Sequence, residues 1–83
     1  MTKEEQILSI AKHIRELRKA KGWTQIDLAQ KTKLGQSTIS QYELGKRAGY
    51  LVELLRVANA LGTTMSDLFR IEAEFVSKKK SNS

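Results

Sequence analysis

Five short polar side chains, Gln36, Ser37, Thr38, Ser40 and Gln41, lie within six residues of one another in the stretch TQIDLAQKTKLGQSTISQYELGKR, residues 24–47. Each carries both a hydrogen-bond donor and an acceptor. No thiol, metal-ligand pair or paired carboxylate accompanies them. Side chains of this kind on one short helix suit the edges of bases in a DNA major groove, where each base pair shows its own donor and acceptor pattern. The chemistry predicted is recognition rather than bond making.

Such residues need a rigid mount, and the same stretch supplies one. It reads as helix, tight turn Lys33-Leu34-Gly35, helix, then a basic loop. Leu28, Ala29, Leu34, Ile39 and Tyr42 fall where two such helices must pack together. Ala29 is small, as a close crossing requires, and Ile39 follows it by ten residues. The five polar residues are left unclaimed by any core.

The flanking elements are helical too. Ile7, Ile10, Ile14 and Leu17 repeat at three- and four-residue spacing, predicting a first helix from about Glu5 to Lys21, stopped by Gly22. Trp23 plugs the connection. Thr24 and Asp27 form a capping-box pattern at the start of the second helix. The third helix is predicted from Gln36 to Glu43 or Leu44 and ends at Gly45. A fourth, about Leu51 to Leu61, turns Leu54, Leu55, Ala58 and Leu61 inward and stops at Gly62. Thr64 or Ser66 caps a fifth, starting near Met65 and continuing to about Val76. The expectation is an all-α, compact five-helix domain over residues 1–76, with the helix-turn-helix at 25–44. The end, SKKKSNS, has no apolar residue, and 77–83 is expected to be a disordered basic tail.

Composition narrows the function classes. The 83 residues suffice for one small domain with a thin core, which a partner subunit would help. There is no cysteine, hence no disulfide and no thiolate metal site. His13 is the single histidine, so no metal and no cofactor is expected, and His13 reads as a partly exposed surface residue. No apolar stretch approaches the roughly 20 residues of a membrane span. TKEEQ at the start contains no signal-peptide core, so a cytoplasmic protein is the expectation. The net charge of +6 is uneven: +5 over residues 1–47, −2 over 48–77 and +3 from Lys78, Lys79 and Lys80. The positive half is the one bearing the helix-turn-helix, as phosphate binding would require.

The pieces IRELRKAKGWTQIDLAQKT, QSTISQYELGKR and LLRVANALGTTMSDLF together resemble the phage repressor and Cro-type helix-turn-helix family, also called the xenobiotic-response-element family. The resemblance spans about residues 7–70. It implies a repressor-like five-helix domain that binds double-stranded operator DNA as a homodimer. It implies base contacts by Gln36, Ser37, Thr38 and Gln41, the Gln36 amide matching one that reads an adenine. It implies phosphate contacts by Gln25, Ser40, Lys46 and Arg47, with Gln25 also able to brace Gln36. Arg18 and Glu43 match an internal salt bridge, a structural role. Two positions depart from the family: Lys33, where many relatives carry glycine in the turn, and Gly49, where many carry proline. The latter predicts a looser basic loop.

Leu68, Ile71 and Phe75, joined by Leu51 and Val52, make an apolar stripe whose most economical use is a symmetric interface with a second copy in a dimerisation region at about 51–76. Two recognition helices would then sit about 34 Å apart, one DNA turn, on a near-palindromic site. The other arrangement folds the fifth helix back on its own core. Small relatives of this type resemble restriction-modification controller proteins, phage repressors and antitoxins. The expected mechanism is occupancy, a bound dimer blocking or recruiting RNA polymerase. The rival is a protein-interaction module, an antitoxin gripping a toxin or a bridging coactivator domain, in which the apolar stripe meets a different protein.

Overall fold

The computed structural model describes residues 2–48 and 50–69. Five helices follow one another: α1 (Lys3–Ala20), α2 (Gln25–Thr32), α3 (Gln36–Glu43), α4 (Leu51–Ala60) and α5 (Met65–Leu68). No strand occurs among the described residues. This is the all-α, five-helix arrangement the sequence predicts.

Local chemistry sets the boundaries. At α1 the Thr2 hydroxyl accepts from the Glu5 N–H at 3.1 Å, and the Glu5 carboxylate accepts from the Thr2 N–H at 3.0 Å. This capping box starts α1 at Lys3, two residues before the expected Glu5. Thr24 and Asp27 make the same reciprocal pair at α2, as expected. Thr64 caps α5 by accepting from the Asp67 N–H. At the end of α3 the N–H of Lys46 reaches the Gln41 carbonyl at 2.8 Å and that of Gly45 reaches Tyr42 at 3.2 Å. These two bonds close a Schellman motif. Gly45 takes φ +73°, and a Cβ there would lie 2.7 Å from Leu8 Cδ2. Both the backbone and the packing therefore call for glycine.

One core holds the helices together. Ile14, Leu28, Ala29, Ile39, Tyr42, Leu54, Val57, Ala58, Leu61 and Leu68 are buried against one another. α2 packs on α3 and α4, while α1 packs on α3 and α5. Leu28, Ala29, Ile39 and Tyr42 behave as the spacing predicts. Leu34 packs against the core from its edge. Trp23 is half-buried and is flanked by the ammonium groups of Lys31 at 4.6 Å and Lys21 at 5.2 Å from its ring centre.

Two expectations change. Leu55 faces outward and Val57, fully buried, takes the inward place on α4. Leu68, expected at an interface with a second copy, is 0% exposed in the chain's own core. Its carbonyl meets His13 Nδ1 at 3.0 Å, so His13, partly exposed as expected, is also bonded across the fold. The expected Ile71 and Phe75, the run of the fifth helix to Val76, Gly49 and the tail 77–83 lie outside the described residues.

The turn between α2 and α3 is built by Thr32 and Lys33. The buried Thr32 hydroxyl donates to the carbonyls of Leu28 at 2.8 Å and Ala29 at 3.1 Å, and accepts from the Leu34 N–H at 3.3 Å. Lys33 then adopts φ 60°, ψ 25°, the left-handed conformation. A residue with a Cβ pays roughly 1–2 kcal/mol there. Glycine relieves that strain but gains about 0.4–1 kcal/mol of unfolded-state entropy. Lys33→Gly is therefore expected to stabilise the domain by about 0.5–1 kcal/mol, raising the melting temperature by several degrees. A calorimetric scan showing no rise would contradict strain at Lys33.

Candidate nucleic-acid interface

The eight-residue α3 divides cleanly by face. Ile39, Tyr42 and Glu43 point into the protein. Gln36, Ser37 and Gln41 are exposed, whereas Thr38 and Ser40 are half-buried. The exposed trio shares one side of the helix because 36, 37, 40 and 41 repeat at helical spacing. Thr38 stands at the edge of that face, with less of its side chain free.

Beneath α3 lies a charged network. Arg18 Nε donates to Glu43 Oε2 at 2.7 Å and Arg18 Nη2 donates to Glu43 Oε1 at 2.9 Å. The guanidinium also donates through Nη1 to the Trp23 carbonyl at 2.7 Å. Their side chains are 10% and 2% exposed. Arg18 is held still further toward its charged form by the hydrogen bonds it donates to Glu43, against the opposing effect of burial. The salt bridge implied by the resemblance is thus present, and it joins α1, the α1–α2 connection and α3. Gln25 enters the same network. Its Nε2 donates to Glu43 Oε1 at 3.2 Å, so the Gln25 amide engages Glu43 rather than the expected Gln36.

The loop after α3 departs from expectation. Lys46 is exposed. Arg47, expected to reach a phosphate, is drawn inward instead. Its Nε and Nη2 donate to Glu53 Oε1 and Oε2 at 2.9 and 3.0 Å, and its guanidinium stacks 4.2 Å from the Tyr50 ring centre. The Tyr42 hydroxyl donates to the same Glu53 Oε1 at 2.6 Å. Hydrogen bonds from Arg47 and then Tyr42 hold the Glu53 carboxyl below its ordinary range. Burial, followed by the bond to Glu53, pushes the Tyr42 hydroxyl well above the usual tyrosine range, so it remains a donor. Sequence reading missed Glu53, Tyr42 as a donor, and Tyr50. The one available signal was a glutamate in the first turn of a helix six residues after an arginine, across a loop without periodicity.

At its N-terminal end α4 exposes apolar side chains, while Arg56 and Asn59 are exposed further along. Leu51 and Val52 are 62% and 64% exposed, with Leu55 and Tyr50 beside them. A groove of about 330 Å3 opens next to Leu51, lined by Ile7, Ile10, Leu54, Met65 and Phe69 among others. Among the described residues no group of three or more histidine, cysteine or carboxylate side chains could hold a metal ion. No helix among them is long and apolar enough to cross a membrane.

Comparison with known proteins places this arrangement. Residues 14–68 match the HTH_3 family, described as helix-turn-helix. The chain is similar to the restriction-modification controller protein C.AhdI from Aeromonas hydrophila, with 35% identity and a TM-score of 0.71 over 75% of this chain and 94% of that one. It is also similar to a point mutant of the restriction-modification controller protein C.Esp1396I, with 26% identity and a TM-score of 0.75 over 88% of this chain and 92% of that one. The clp gene regulator ClgR from Corynebacterium glutamicum shares 25% identity and a TM-score of 0.76 over 83% of this chain and 88% of that one. No curated protein matches the sequence.

Proposed function

Because the chain belongs to the HTH_3 helix-turn-helix family, we propose that it is a DNA-binding transcriptional regulator, not an enzyme, and that it acts as a homodimer on a near-palindromic operator. The observation that carries this reading is the division of α3. One face locks into the core through Ile39, Tyr42 and Glu43, and the other offers Gln36, Ser37 and Gln41 to the exterior. The likeness to restriction-modification controller proteins and to the gene regulator ClgR supports the same class.

In this reading Gln36, Ser37 and Gln41 read base edges, with Thr38 at the margin. Gln25 at the start of α2, Ser40 and Lys46 meet phosphates, which supply much of the affinity and its salt dependence. Arg47 has a lesser part, since Glu53 holds its guanidinium within the fold. The dimer forms through the apolar face of α4, Leu51, Val52 and Leu55, rather than through Leu68. A contiguous exposed apolar face of this kind is a usual mark of an interaction surface.

Selection of binding sequences from random DNA tests the proposal. The expected result is a near-palindromic motif. Gln36→Ala should lose preference at one position per half-site, worth about 1–3 kcal/mol for a bidentate amide–adenine contact, with unchanged thermal unfolding. An absence of any enriched motif, with only weak, salt-sensitive binding, would turn attention to a protein partner for the α4 face.

A further inference from the structure

The Glu43 carboxylate accepts three hydrogen bonds, two from Arg18 and one from Gln25. The Arg18 pair suffices to tie α1 to α3. The third bond acts on a different group. A carboxylate has no proton to give, so only the nitrogen end of the Gln25 amide can face it. That removes the ambiguity of the amide's two orientations. It commits one N–H to Glu43 and leaves the second N–H and the carbonyl oxygen for other partners. Gln25 is the first residue of α2 and is half-buried, so its side chain is not sealed from solvent.

Resting on the DNA-binding reading above, we propose that Glu43 is a positioning residue for DNA recognition: it locks the Gln25 amide before DNA arrives, so that the remaining N–H meets a phosphate already oriented. An unrestrained glutamine loses substantial rotamer freedom when it is fixed. One that is fixed in the free protein avoids that loss on binding. The same buried carboxylate thereby serves the helix junction and the contact surface, its Oε1 accepting from both Arg18 and Gln25.

Side-chain 15N–1H relaxation of the free protein tests the lock directly. The Gln25 amide should show a heteronuclear Overhauser effect close to that of the helix backbone, while the exposed Gln36 and Gln41 amides show much lower values. Glu43→Gln should bring Gln25 toward the mobile pair. Binding to a mixed-sequence duplex at low salt tests the consequence. Gln25→Met keeps the side-chain length and removes the amide. It should weaken binding about tenfold in the parent protein, but less than twofold when Glu43→Gln is already present. Equal losses in both backgrounds would overturn the proposal. So would a Gln25 amide as mobile as Gln36 in the parent, a result that needs no Glu43 variant to fold. A parent that binds no duplex overturns the regulator reading together with this proposal. Binding that is intact in the parent and unchanged in Gln25→Met overturns this proposal alone.

Discussion

Glu43→Ala is expected to remove most of the domain's stability, about 3–5 kcal/mol, and to leave it only marginally folded. The substitution strips Arg18 of both carboxylate bonds in a site where the two side chains are only 10% and 2% exposed. Breaking a buried pair by removing one member costs about 3–5 kcal/mol, because the remaining charge is stranded. Total stability for so small a domain lies near the low end of roughly 5–15 kcal/mol, so little remains. Gln25 also loses its partner. The control is the double substitution Arg18→Met with Glu43→Leu, which removes both charges and fills the space with apolar groups. Such replacements are often neutral or better, and it should recover most of the loss. Urea unfolding monitored by circular dichroism measures both. A Glu43→Ala variant within about 1 kcal/mol of the parent would mean that the pair is far better hydrated than its burial indicates.

Replacing Leu51 and Val52 together with glutamate has the second large effect, on association rather than folding. Both side chains are mostly exposed in the single chain, so the helical core tolerates the change. Two carboxylates on the apolar face of α4 would face their own images across a two-fold axis, where like charges in a desolvated setting are costly. Sedimentation of the parent should give twice the 9.4 kDa chain mass, and that of the variant the single mass. Operator affinity should fall by about 10²–10⁴, since a half-site grip no longer brings its twin to the DNA at high effective concentration. A parent that sediments at 9.4 kDa under operator-binding conditions, or a variant that keeps full affinity, would remove the homodimer from the proposal.

The helix-turn-helix was the most legible part of the chain, for reasons that are local. Thr24 with Asp27 marks the start of α2, Gly45 marks the end of α3, and Leu28, Ala29, Ile39 and Tyr42 have nowhere to go but between the helices. The inward places of Ile39 and Tyr42 on α3 followed from spacing, whereas that of Glu43 came from the family resemblance, and Thr38 and Ser40, expected to be unclaimed, are half-buried. α4 was harder because Leu51, Val52, Leu54, Leu55, Val57, Ala58 and Leu61 run around most of its circumference. A helix apolar on so many sides does not state which side is covered; tertiary packing chose Val57 over Leu55. Leu68 was misplaced for the same reason, since an apolar stripe does not distinguish a second copy from the chain's own α1. The Arg47–Glu53–Tyr42 cluster depends on how a loop folds back over a helix start. No residue period reports that geometry.

The division of α3 also bears on how this protein can change over generations. Stability resides in Ile39, Tyr42 and Glu43, while Gln36, Ser37 and Gln41 stand on the outer side of the same helix. Exposed substitutions away from caps and networks usually shift stability by no more than about 0.5 kcal/mol. Mutation at positions 36, 37 and 41 is therefore nearly uncoupled from folding. Duplicated copies of the gene could drift apart in what they recognise while each still folds. The chain separates the part that selection must preserve from the part it is free to rewrite.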